Sequence, residues 1–83
     1  RTIHDDAPLR LVVLSFSAGH ELSPHTTPKP VTIHLLQGSA RILLGTETHV
    51  LEGGALVRMP AGLEHGVTAL TPMTLLLAME KNA

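Results

Sequence analysis

The stretch GALVRMPAGLEH, residues 54–65, is the most informative in this 83-residue chain. Gly54 follows Gly53 and opens a turn in which a positive φ meets no Cβ clash. Leu56 to Met59 is too short for a helix and is bounded by Gly and Pro, so it reads as a strand. Pro60-Ala61-Gly62 is the next turn, with Pro presetting φ and Gly supplying the unusual conformation. His65 stands just past that turn, ahead of the run Val67 to Leu70. The stretch therefore places an imidazole where a turn hands over to a strand.

Outward from it, the same punctuation recurs along the whole chain. Strands are expected at Leu9–Phe16, Val31–Gln37, Ala40–Leu44, Glu47–Leu51, Leu56–Met59, Val67–Leu70 and Met73–Met79. Gly45-Thr46 joins two of these as a tight hairpin. The segment from Gly19 to Pro30 holds three prolines and reads as an extended loop with a short strand inside it. Leu75 to Leu77 is continuously apolar, as in a strand buried on both faces. Short strands at this spacing indicate an all-β sandwich or barrel. No repeat or second domain is visible, so residues 1–83 are expected to form one domain.

Composition narrows the function. Six Lys and Arg against seven Asp and Glu give a net charge of -1, and Phe16 is the only aromatic residue besides histidine. Nucleic-acid binders carry basic patches, and single-strand binders add aromatic stacking platforms, so that class is excluded. With no Cys there is neither a disulfide framework nor a thiolate metal site. Leu, Val, Ile and Phe are frequent enough for an aliphatic core. The longest apolar run, Leu75 to Met79, is far short of the ~20 residues of a membrane helix, so no membrane partner is expected. No segment reads as a targeting signal, which makes a cytoplasmic location the expectation. The first residue is Arg1, not Met, so the chain reads as part of something longer.

The order of these pieces resembles the cupin superfamily, whose fold is a double-stranded β-helix, a jelly-roll barrel with two motifs flanking a hairpin. The second motif is matched at Gly54, Pro60, Gly62 and His65, with Ala69 where an Asn often follows. The first motif keeps its frame through Gly19, His25 and Gly38. Its second His is Thr27, however, and its Glu is Val31. The resemblance implies a divalent transition metal held by His25 and His65, with a small organic molecule beside it. Zn, Ni, Fe and Mn are not separable, because imidazole suits them all.

Alternation along a strand orients these candidates. Residues two apart share a face, so His25 goes with Thr27, and Val31 with Ile33 and Leu35. His34 then points out of the barrel unless a β-bulge re-aims it. Catalytic zinc and non-haem iron sites typically use three protein ligands, so His34, His20 or a carboxylate would have to complete this one. His20 reads as a loop residue, and His4 and His49 as bystanders. Glu64, next to His65, is aimed away from the pocket. Arg58 is expected in solvent, while Arg41 would meet an anionic ligand only if it faced inward. Ser15, Ser17 and Ser23 lack any nucleophile motif, and Met59, Met73 and Met79 read as core filling.

Two functional readings stand nearly level. One is a metal-dependent enzyme, a dioxygenase or isomerase of small organic molecules. The other is a non-catalytic small-ligand-binding or sensory module. A structural dimer with a vestigial pocket ranks behind both. A homodimer is expected in any case, with Leu11 to Leu14 and Leu75 to Leu77 between the subunits.

Overall fold

The computed structural model describes residues 1–81, and all nine regular elements among them are strands. They are β1 (Thr2–Asp5), β2 (Leu9–Phe16), β3 (Glu21–His25), β4 (Val31–Gln37) and β5 (Ser39–Leu44). After these come β6 (Glu47–Glu52), β7 (Leu56–Met59), β8 (His65–Ala69) and β9 (Met73–Glu80). Two antiparallel sheets result, a five-stranded one in the order β1-β2-β9-β4-β7 and a four-stranded one in the order β3-β8-β5-β6. No helix among the described residues is long and apolar enough to cross a membrane.

The sheets meet through their alternating apolar residues. Leu35 and Leu75 from the five-stranded sheet, Ile42 from the other and Met59 from β7 are all at most 1% exposed. Val31, Ile33, Ala40, Val67, Ala69 and Met73 complete the buried cluster, with Phe16 and Met79 packed at its margin. The methionines thus fill core space, as expected. The interior is occupied by side chains at this level.

Connections are fixed by backbone geometry. Gly38, between β4 and β5, has φ +92°, and a Cβ there would lie 2.3 Å from the Pro72 carbonyl oxygen. Only glycine lets the β4–β5 corner meet the β8–β9 loop this closely. Ser39 seals the same corner by accepting the Leu70 N–H on its carbonyl and donating its own N–H to Thr71 Oγ1.

The run Leu75 to Leu77 divides between the two faces of its sheet. Leu75 is fully buried and Leu77 packs against the core, but Leu76 points to the opposite face, which no further strand layer covers among the described residues. The edges of this sheet are β1 and β7, so β2 and β9 are interior strands. β1 itself was not legible in the sequence. It is tied down from outside, by ion pairing of Lys81 with Asp5 and by a hydrogen bond from the Arg1 backbone nitrogen to the Val13 carbonyl.

Candidate metal centre

His25 and His65 lie opposite each other on neighbouring strands β3 and β8. Their rings meet edge to face, with centroids 4.4 Å apart and planes at 61°. His65 is 4% exposed, whereas His25 is open to solvent, so the pair sits where the barrel interior reaches its mouth.

A bulge brings them together. Leu22 pairs with Val67 and His25 with His65, three steps along β3 against two along β8. In a regular strand His25 would share a face with Glu21, whose partner Thr68 lies on the outer side of the sheet. The extra residue reverses that alternation and turns His25 toward His65. Pro24 occupies the bulge, on an edge strand where its missing N–H breaks no ladder. Beneath it lies Gly66, where a Cβ would stand 3.2 Å from the Leu22 carbonyl oxygen and from Pro24 N and Cα. Gly66 therefore gives the bulge room to fold down.

Both imidazoles are oriented by the same local contact. Nδ1 of His25 donates to the Ser23 carbonyl at 2.8 Å, and Nδ1 of His65 to the Leu63 carbonyl at 3.0 Å. A carbonyl can only accept, so Nδ1 carries a hydrogen, and in the neutral ring the Nε2 lone pair is left for a ligand. Backbone acceptors of this kind commonly fix the tautomer of metal-binding histidines. The donor set fits a divalent transition metal to the extent of two nitrogens.

The remaining candidates do not join the pair. Thr27 lies beyond the end of β3, where its hydroxyl donates to the Lys29 carbonyl. Val31 is buried in the core cluster. His34 pairs with Leu56 and Leu76 on the outer side of the five-stranded sheet, and the bulge in β4 falls after it, between Leu35 and Gln37. It therefore stays outside, as alternation predicts. His20 is an exposed loop residue, and Glu64 is exposed. Glu47 belongs to the same register row as the pair, through Leu44, but two strands away, or about 10 Å at the usual strand spacing. It sits beside His49 at the exposed edge. No group of three or more metal-ligating acid or imidazole side chains occurs among the described residues.

Two clefts lie elsewhere. One of about 220 Å³ is on the outer side of the four-stranded sheet, bordered by Glu21, Arg41, Thr48 and Thr68. Arg41 thus faces outward. The other, of about 250 Å³, lies at the end of the sandwich near Phe16 and Pro72. Arg58 is exposed and ion-paired with Glu80 at 3.1 Å.

Comparison with known proteins adds a family. The sequence profile of the cupin domain matches residues 5–79. A conserved protein of unknown function from Streptococcus pyogenes is 30% identical, with a TM-score of 0.91 over 100% of this chain and 73% of that one. An RmlC-like cupin from Shewanella frigidimarina superposes with a TM-score of 0.94 at 18% identity, over 98% of this chain and 73% of that one. Salicylate 1,2-dioxygenase from Pseudoaminobacter salicylatoxidans, solved with gentisate, gives 0.85 at 20% identity, over 89% of this chain but 20% of its own. The last two likenesses concern fold alone. No curated protein matches the sequence.

Proposed function

The chain belongs to the cupin domain family, and from that premise we propose that it binds a divalent transition metal and a small organic molecule at the barrel mouth. His25 and His65 would hold the metal through Nε2. The observation that carries this reading is the paired geometry: two adjoining imidazoles, each with Nδ1 committed to a backbone carbonyl. With only two protein nitrogens, the other coordination positions fall to water or to oxygen atoms of the bound molecule. A metal so placed would polarise a coordinated oxygen. The chain's own part is to fix the two imidazoles, with His65 buried and His25 open on the solvent side.

Chemistry of the dioxygenase or isomerase class is one outcome of such a centre. The salicylate dioxygenase likeness supports it only as an analogy of fold. Binding without turnover is the second reading, favoured by Thr27 and Val31 where the family pattern has further ligands. Elemental analysis and calorimetric titration with Zn, Ni, Fe(II) and Mn test the centre. One ion per chain is expected, lost in both His25→Ala and His65→Ala. Unchanged metal content in both variants sinks the assignment. Thermal shift with small organic acids on metal-loaded protein identifies ligands, and assaying those ligands for turnover then separates a binding module from an enzyme.

A further inference from the structure

The cleft of about 220 Å³ on the outer side of the four-stranded sheet holds two opposite charges apart. One register row there runs Glu21, Thr68, Arg41 and Val50, and the next runs Gly66, Leu43 and Thr48. Glu21 and Arg41 therefore stand two strands from each other, about 10 Å between backbones at the usual spacing. Among the described residues the Arg41 guanidinium makes neither an ion pair nor a hydrogen bond. The other strand arginines are engaged, Arg10 with Thr2 Oγ1 and Arg58 with Glu80. Glu21 receives the Thr68 hydroxyl on one carboxylate oxygen, at 3.4 Å. Among the described residues no further ionic side chain borders the cleft.

We propose that this cleft binds a free α-amino acid with an apolar side chain, its carboxylate on Arg41 and its ammonium on Glu21. A guanidinium is a planar fork that meets a carboxylate with two parallel hydrogen bonds. A simple anion would satisfy Arg41 but face the Glu21 carboxylate, and a simple cation would meet the converse. A zwitterion answers both charges and suits a site that is neutral as a whole. Charge-assisted hydrogen bonds of about 2.8 Å at each end, with the few atoms between the charges of an α-amino acid, match the gap between the two side chains. Leu43 and Pro24 border the same space, and Gly66 brings no side chain into it, so the ligand's apolar part has a surface to lie on. The volume is below that of pockets for drug-sized molecules, which keeps the occupant small. The imidazole pair lies on the other side of this sheet, so the cleft is a separate site.

Titration of L-valine and L-leucine into the isotope-labelled chain at low salt, followed by amide chemical shifts, tests this. Shifts are expected at Arg41, Thr48, Gly66 and Thr68, with a Kd of about 1 mM or tighter. N-acetyl-leucine, which lacks the ammonium, and leucinamide, which lacks the carboxylate, are each expected to bind about 10-fold more weakly. Arg41→Gln and Glu21→Gln, both at exposed positions, are expected to lose about 10-fold in leucine affinity with the remaining amide shifts unchanged. Glu21→Gln should also narrow the preference for leucine over N-acetyl-leucine, which a cleft merely loosened would not do. Arg58→Gln, at an exposed arginine of the other sheet, is expected to leave binding intact. No saturable shift up to about 10 mM overturns the proposal. So do shifts centred on His25 and His65, or N-acetyl-leucine bound as tightly as leucine. Undiminished affinity in Arg41→Gln or Glu21→Gln, or an equal loss in Arg58→Gln, overturns it as well.

Discussion

The two sheets share one core but treat their other faces in opposite ways. On the four-stranded sheet, Ala40, Ile42 and Leu44 point inward from β5 while Ser39, Arg41 and Leu43 point outward. β8 repeats the pattern with Val67 and Ala69 against Gly66 and Thr68. That alternation suits a sheet with one dry and one wet side. On the five-stranded sheet, β2 and β9 carry leucine and valine on both sides. The chemistry is divided too. The imidazole pair belongs to the inner side of the polar-backed sheet, and the five-stranded sheet's inner side is aliphatic. One sheet supplies the candidate centre, and the other supplies a wall and an uncovered apolar face.

The largest test of that contrast compares neighbours on β9. Leu75→Ala, at a fully buried position, should cost about 3 kcal/mol in chemical denaturation, the range for emptying a leucine site in a packed core. Ile42→Ala on the opposite sheet should cost a similar amount. Leu76→Ala, measured on dilute monomer, should cost less than about 1 kcal/mol. Equal losses at Leu75 and Leu76 would mean that the outer face is not free in the monomer.

Next in size is Gly66→Ala, which removes no candidate ligand atom. Its Cβ presses on the β3 bulge from 3.2 Å, and the bulge must yield by a few tenths of an ångström. Metal affinity should fall about 10-fold, the scale on which supports of a metal site act. An affinity equal to wild type, by the same calorimetric titration, would show that the bulge does not govern the aim of His25.

Smaller effects belong to the margins of the five-stranded sheet. Glu80→Gln breaks the exposed Arg58 pair and should change monomer stability by no more than about 1 kcal/mol, less at high salt. β1 should respond to acid. The Lys81 ammonium, hydrogen-bonded to Asp5, holds that carboxyl below its ordinary 3.8, and the His4 side chain, bonded to Asp6, does the same there. A carboxyl depressed on folding contributes stability above its unfolded value and loses it as pH falls through the folded one. Amide exchange in β1 should therefore accelerate selectively below about pH 4, before the core strands respond. Uniform acceleration across both sheets would contradict a locally tethered β1.

Much of the fold was legible because apolar runs and turn residues are local signals. β2, β4 and β7 match their expected bounds, and β5, β6 and β9 extend them by a residue. β8 begins two residues early, because its ladder with β5 runs on to His65 opposite Leu44. β1 escaped notice because Thr-Ile-His-Asp has no apolar alternation, and it is held by partners distant in sequence. Of the candidate centre, His25 and His65 were legible from motif spacing, and His34 was placed outside by alternation. Their convergence was not. Pro24 directly before His25 is the one local sign of a bulge, and it reads as loop punctuation until β8 is known to pair there.

The sequence by itself determined a small all-β chain with an aliphatic core, because residue alternation and turn chemistry act over a few residues at a time. It also supplied two imidazoles at motif positions. Tertiary structure alone decided that they meet, since one extra residue in β3 reverses which way His25 points. It decided as well that Leu76 lies on the outer face of its sheet, between Val13 and His34. Both depend on which strands become neighbours, and that is settled when the sheets assemble.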